Sequence, residues 1–139
     1  MTNGIRTDTG ITLEYASRGM RLLGQVVDSF IAMAPVFLFG FIARYAGGPG
    51  GILTMLGAIW VFFYLILGDG LHQGQSFAKQ WLGMRVVDAK TGEPCTFGKS
   101  FVRNIALSLL GPIDWLFIFG ERHQRLGDKM AGTVVVMAD

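Results

Sequence analysis

The residues whose types could do chemistry recur at helical spacing near the start of the chain. They are Arg18, Arg21, Gln25 and Asp28, and Ala32 continues the same spacing of three and four residues. Residues spaced in this way lie on one face of a helix. Arg21 and Asp28 are separated by about 10.5 Å of helix rise, which is too far for a close ion pair. Each therefore needs a partner elsewhere, and the candidates are Arg103, Asp114 and Asp128.

The acid at position 28 lies inside the first long apolar stretch of the chain. A charged side chain at the centre of a bilayer costs about 2.5–3.5 kcal/mol on insertion scales, so Asp28 must face protein or water. Burial and a nearby arginine would act on its protonation in opposite directions. Asp28 could therefore couple to a cation or proton, or it could be a structural lock; both interpretations stay open. We expect Arg18 and Arg21 to face lipid phosphates or to form ion pairs.

The composition indicates the environment in which these residues lie. The 139 residues are 51% hydrophobic and 16% charged, with a net charge of +2. These values exclude a disordered chain and a nucleic-acid-coating protein and favour a single membrane domain. The single cysteine, Cys95, excludes a disulfide scaffold or a zinc site of paired cysteines and suits a reducing compartment. No nucleophile lies beside a base, so we expect neither an enzyme nor a cofactor.

Two apolar stretches predict transmembrane helices. Residues 22–43 would extend for about 33 Å, within a helix over about 18–45, and residues 52–71 for about 30 Å, and both match the hydrocarbon core of a bilayer. Between them the glycine-rich run 47–51 predicts a loop. Residues 1–15 are polar and predict a mobile cytoplasmic leader. The connection 72–100 is polar and basic; residues 84–88 in it are strand-like, and 95–97 could return as a hairpin.

A third apolar segment, residues 101–120, is a poor span. Arg103 and Asp114 interrupt it, and Gly111-Pro112 should kink a helix near its middle. It either crosses the membrane or is a broken re-entrant or interfacial element. The distribution of basic residues favours a cytoplasmic N-terminus and an external glycine loop, in the cell (inner) membrane. A cytoplasmic C-terminal motif, 121–139, would let the strand-like run 133–136 pair with residues 84–88.

Several motifs, taken together, resemble the RDD family of small multi-pass membrane domains. They are RLLGQVVD (21–28), GQSFAKQWLGMRVVD (74–88), RNIALSLLGPIDWL (103–116) and HQRLGDKMAGTVVV (123–136). The resemblance implies that Arg21 is the arginine for which the family is named and that Asp28 and Asp128 are its two aspartates. This sequence has Ala78 where the pattern usually has glycine, and Gly127 where histidine is common. The resemblance implies an all-α membrane domain spanning residues 16–139.

Two smaller signals point to contacts rather than chemistry. Asp69 and His72 are three residues apart at the end of the second apolar stretch, which predicts an interfacial hydrogen bond between them. Lys79 and the basic residues after it are explained by orientation in the membrane or by anionic headgroups.

Two functions remain as hypotheses. The first is transport of a cation, a proton or a small ligand, in which Asp28 binds and Arg21 and Asp128 shape the pathway. The RDD resemblance implies such activities, since ligand transport and cation/proton antiport are associated with the family. The second, which the family also includes, is a scaffold or accessory subunit of a membrane complex. Because two or three short helices cannot enclose a pathway, we expect the protein to form a homo-oligomer or to bind a partner membrane protein. We also expect it to contact the lipid bilayer and to bind no nucleic acid.

Overall fold

A computed structural model describes residues 3–47 and 49–138 of the chain. Its long helices are α1 (Arg18–Tyr45), α2 (Gly50–Leu67) and α4 (Phe97–Leu110). There are also three short helices: α3 (Phe77–Trp81), α5 (Pro112–Leu116) and α6 (Leu126–Ala131). The strands are β1 (Gly4–Arg6), β2 (Thr12–Glu14), β3 (Met84–Asp88) and β4 (Thr133–Met137). The described chain is therefore mostly helical, with two small strand pairs.

The helices α1 and α2 form an antiparallel pair that is long and apolar enough to cross a membrane. Ser17 begins α1 by accepting a hydrogen bond from the amide of Met20 at 3.2 Å. Gly57 of α2 lies against Val36 of α1, where a β-carbon would come within 3.2 Å of the Val36 backbone. The outward face of α1 is apolar, with Phe30, Phe37 and Phe41 between 62% and 73% exposed. Exposed aromatic residues in such number suit contact with lipid rather than water.

The four strands lie at one end of the helix pair. Strand β3 pairs antiparallel with β4 along its whole length, from Met84 opposite Met137 to Asp88 opposite Thr133. The predicted pairing of residues 84–88 with 133–136 is therefore confirmed. The Cys95 amide donates to the Val86 carbonyl at 2.9 Å, and helix α4 begins two residues later. The predicted return at 95–97 is thus short and ends where the helix starts.

The expectation of a mobile polar leader is wrong for residues 3–15. Strands β1 and β2 form a hairpin, and a bridge between Tyr15 and Val136 attaches it to β4. Ile5 is 7% exposed and packs with Val134 and Val136. The burial of this isoleucine stabilises the hairpin against the β3–β4 sheet, although most residues around it are polar.

The third apolar segment is broken rather than straight. Helices α4 and α5 meet at a bend of 111° at Gly111, where the backbone has a φ of 54° that favours glycine. Pro112 then begins α5, at a position where its missing amide hydrogen is tolerated.

The second apolar stretch also differs from its predicted bounds, since α2 ends at Leu67 and a 3₁₀ turn follows at Gly68–Gly70.

Candidate functional site

The interior between the helices and the sheet contains charged side chains instead of an apolar core. Among the described residues, four carboxylates and four cations are each at most 8% exposed. The carboxylates are Asp28, Asp69, Asp114 and Asp128, and the cations are Arg21, Lys79, Arg103 and Arg125. Because the formal charges balance, the protein buries no net charge here. Unpaired, each of these groups would destabilise the fold by several kcal/mol.

Almost every element of the membrane domain contributes to this ionic network. Arg21 and Asp28 come from α1, Lys79 from α3, and Arg103 from α4. Asp114 comes from α5, Asp128 from α6, and Asp69 from the 3₁₀ turn after α2. The network therefore joins segments that lie far apart in sequence.

Gly127 lets the short helix α6 approach α4. A β-carbon at this position would lie 2.2 Å from the Arg103 carbonyl oxygen. The Gly127 amide also donates to Asp114 Oδ1 at 2.7 Å. A histidine here, which the RDD pattern commonly has, would collide with the α4 backbone unless the two helices moved apart.

We call one part of the network the arginine end: Arg21, Arg103, Arg125, Asp114 and Asp128. Asp128 is fully buried at its centre, where it contacts Arg21 Nη2 and accepts from Arg103 Nε at 2.7 Å. Its other interactions are with Arg125, whose amide donates to Oδ2 at 3.1 Å. Burial by itself raises the pKa of Asp128, but the surrounding arginines outweigh this and hold it well below the usual range.

Arg125 extends the arginine end toward Asp114. Its Nε lies 3.6 Å from Asp114 Oδ2, and its Nη1 donates to Gln25 Oε1 at 3.3 Å. The guanidinium carbon also lies 5.4 Å from the ring centroid of Trp115, close enough for a cation–π contact. Arg125 is thus fixed by an acid, an amide and an aromatic ring.

We call the remaining part the lysine end: Asp28, Asp69 and Lys79. Arg103 joins the two ends, because its Nη1 also donates to Asp69 Oδ2 at 2.8 Å. Lys79 Nζ lies between the two acids, 2.5 Å from Asp69 Oδ1 and 3.3 Å from Asp28 Oδ2. A single ammonium group is therefore shared by two buried carboxylates.

Asp28 is also surrounded by neutral donors. Tyr64 Oη donates to it at 2.7 Å and Ser76 Oγ at 2.6 Å, and the Ala78 amide lies at 3.3 Å. Ser76 is positioned because it also begins helix α3. These donors compensate much of the carboxylate charge without a second cation.

The structure brings most of the predicted site residues together. Arg21 and Asp128 are direct partners, and Arg103 and Asp114 belong to the same network. Gln25 borders it, whereas Arg18 lies outside and donates to the carbonyls of Ile118 and Phe119. Asp28 does not pair with Arg103, the one cation among the predicted partners; its cation is Lys79.

Three members of the network were not identified from the sequence: Asp69, Lys79 and Arg125. The predicted hydrogen bond between Asp69 and His72 is absent from the described residues, and His72 instead lies 5.6 Å from the Phe77 ring centroid. One signal was available, because Asp69 is the first charged residue after a long uncharged run. A charge at that position needs a buried partner as much as Asp28 does.

Two small cavities border the network, each of about 10 Å³, which is room for roughly one water molecule. The first adjoins the lysine end and is lined by Lys79, Leu65, Gly68 and six oxygen-bearing side chains: Gln25, Asp28, Tyr64, Asp69, Ser76 and Asn104. Oxygen atoms of this kind suit a hard monovalent or divalent cation. The described residues contain no cluster of three or more histidine, cysteine or acidic side chains that would hold a metal ion.

A membrane-associated helical domain closed by a buried ionic network is the class that this fold and site define. The chain belongs to the RDD family, whose model matches residues 15–132. It is also 30% identical over 131 residues to an uncharacterized protein of Haemophilus influenzae, covering 89% of this chain and 79% of that one. No solved structure matches the chain.

Proposed function

We propose that this protein is a multi-pass membrane protein that exchanges a cation for a proton at the lysine end. The observation that supports this most is the single ammonium group of Lys79, which is shared by Asp28 and Asp69 beside a polar cavity. The longer contact, 3.3 Å to Asp28, is the one that an incoming cation would replace.

The charge of the site sets the stoichiometry of this exchange. Two carboxylates and one ammonium group give the lysine end a formal charge of −1. A monovalent cation that enters beside Asp28 keeps that charge constant if Lys79 loses one proton to the solvent. Uptake of one cation is then coupled to release of one proton, and reprotonation of Lys79 expels the cation.

The strand pairing supports an orientation with all strands on the cytoplasmic side. Because β3 pairs with β4, and Tyr15 bridges to Val136, the start of α1 and both ends of the segment α4–α5 lie on one side. Helices α4 and α5 would then enter the membrane and return, or lie at its surface. Basic residues concentrate in the segments that adjoin this side, which favours the cytoplasm.

Transport by this protein also requires a second copy or a membrane partner. Two spans cannot enclose a pathway, and the outward faces of both helices are apolar, including Phe37 on α1 and Phe62 on α2. These faces would contact lipid and the neighbouring subunit.

The experiment is a flux assay on proteoliposomes with an imposed pH gradient. The Asp28→Asn variant keeps the shape of the side chain and removes its charge, so cation-driven proton movement should disappear while the protein stays folded. The exposed Asp8 provides a matched control, and Asp8→Asn should behave like the wild type. Wild-type flux in folded Asp28→Asn would refute the proposal.

A second candidate is a membrane scaffold or accessory subunit, and the arginine end favours it. Asp114 and Asp128 are fully buried; Asp128 accepts from several donors, and Asp114 accepts from the Gly127 amide and lies 3.6 Å from Arg125 Nε, as expected of a lock that holds α4, α5 and α6 on α1. Under this hypothesis the wild-type protein shows no flux, and a specific membrane protein co-purifies with it after mild detergent extraction.

A further inference from the structure

The second cavity of the network has the opposite electrostatic character to the first. Four cationic side chains line it together with Gln25, Trp115 and Val135, and no carboxylate does; they are Arg21, Lys79, Arg103 and Arg125. All four are at most 8% exposed.

The distribution of charge leaves an excess of positive charge beside this cavity. The arginine end contains three guanidinium groups and two carboxylates, so its formal charge is +1. Burial, together with repulsion from Arg103 and Arg21, lowers the pKa of Arg125 even though Asp128 opposes this. The acids of the arginine end do not balance its cations by themselves; the balancing charge is Asp69 of the lysine end, which accepts from Arg103 Nη1 at 2.8 Å.

Two buried guanidinium nitrogens in the cavity wall also need an acceptor. Arg21 Nη1 has no hydrogen-bond partner within the described part of the chain, and Arg125 Nε lies 3.6 Å from Asp114 Oδ2, an ion-pair contact beyond hydrogen-bond distance. Arg21 is 6% exposed and Arg125 is 2% exposed, so bulk water does not compensate them. A buried donor without an acceptor is costly, and more so when it is charged.

We propose that this cavity binds one small monovalent anion, of the chloride class, between Arg21 and Arg125. The anion accepts from Arg21 Nη1 and Arg125 Nε and lies against a cavity wall that contains four cationic side chains and no carboxylate. The volume of about 10 Å³ admits a species close to a water molecule in size, which excludes phosphate, sulfate and carboxylate ligands. The two nitrogens that hold the anion belong to the arginine end, although Lys79 and Gln25 line both cavities.

The test is the thermal stability of the full chain in detergent as chloride replaces gluconate at constant ionic strength. N-methylglucamine is the only cation present, so that the lysine end binds no metal ion. A ligand that binds only the folded state stabilises it in a saturable manner. The melting temperature of the wild type should therefore rise with chloride and reach a plateau.

A substitution of Gln25 sharpens this test. Its Oε1 already accepts from Arg125 Nη1 at 3.3 Å and it lines the cavity, so Gln25→Glu places a tethered negative charge beside the two guanidinium nitrogens. The variant should melt in gluconate at the temperature that the wild type reaches in chloride, and its chloride dependence should vanish. The exposed Lys90 provides a control, because Lys90→Gln should keep the wild-type response.

Bromide quenching gives a second measurement that needs no change in the network. In the variant Trp60→Phe/Trp81→Phe, Trp115 at the cavity wall is the remaining tryptophan. Saturable quenching by bromide, competed by chloride, supports the site. Quenching that grows linearly with bromide, or a melting temperature that ignores chloride, means that the cavity holds only water and overturns the proposal.

Discussion

The two ends of the ionic network use similar groups in different ways. At the arginine end, Asp128 is 0% exposed and contacts Arg21 and Arg103 through separate oxygens. At the lysine end, Asp28 shares the ammonium group of Lys79 with Asp69 and is otherwise bound by neutral donors. The first arrangement leaves Asp128 closely surrounded by permanent cations. The second contains one titratable cation, beside a cavity.

Under the proposed function, this difference would separate a structural role from an exchange role within one domain. Arginine remains protonated in proteins, so the ion pairs of Asp128 persist at any physiological pH. Lysine, unlike arginine, can be deprotonated in proteins, and the proposed exchange would use this property to open the pair of Asp28 and Lys79. The arginine end would hold the helices together while the lysine end exchanges its ions.

The largest expected effect is that of Asp128→Asn. Within the described residues Asp128 is the only ion-pair partner of Arg21, so the substitution leaves a buried guanidinium group without a counterion. Breaking a buried pair in this way costs about 3–5 kcal/mol. We expect loss of the folded protein from detergent extracts, or a steep fall in melting temperature, measured by size-exclusion chromatography and thermal denaturation.

The matched comparison is Asp28→Asn, which should be milder. Lys79 retains Asp69 at 2.5 Å, and the neutral donors Tyr64 and Ser76 can still donate to the amide oxygen. If the two variants lose equal stability, then the distinction between the two ends is wrong.

The sequence was sufficient to predict the parts of the fold that depend on local pattern. The span of α1, the polar face that carries Arg21 and Asp28, and the pairing of β3 with β4 follow from periodicity, length and β-branched residues. The leader was mispredicted because its average polarity concealed Ile5, which is buried against Val134 and Val136. This isoleucine and the bridge from Tyr15 to Val136 together attach the hairpin to the sheet.

The pairing within the network could not be predicted from spacing. Asp69 and His72 would face each other on a continuing helix, but α2 ends at Leu67 and His72 has a φ of 38°. The side chain of Asp69 therefore turns inward to Lys79 and Arg103. Which cation reaches which acid depends on how α3 and α6 pack on α1, and those contacts join residues up to 107 positions apart.

A smaller effect is expected from Tyr64→Phe, which removes one donor to Asp28 and keeps the aromatic ring. The Tyr64 hydroxyl donates to Asp28 at 2.7 Å, and a hydrogen bond to a charged group contributes about 1.5–3 kcal/mol. We expect a moderate fall in melting temperature and a changed cation concentration for half-maximal flux. Tyr45 is 69% exposed, so Tyr45→Phe is the control and should change neither quantity. If Tyr64→Phe has the same melting temperature as the wild type, then this hydroxyl does not stabilise the lysine end.

The smallest effect concerns Asp88, an acid outside the network that contacts Lys99 at the protein surface. Burial tends to raise its pKa, but the Lys99 ammonium group and the amides of Thr91 and Lys90 outweigh this and lower it from 3.8 to about 2. The carboxylate therefore stabilises the fold fully above pH 3.8, and this contribution is lost as the pH falls through about 2. Since exposed ion pairs contribute about 1 kcal/mol or less, Asp88→Asn should lower the melting temperature slightly at pH 6. The difference from the wild type should shrink as the pH approaches 2 and weaken in high salt, because this pair, unlike those of Asp128, is accessible to screening ions. A difference that stayed constant across this pH range would show that the carboxylate charge of Asp88 does not contribute to stability.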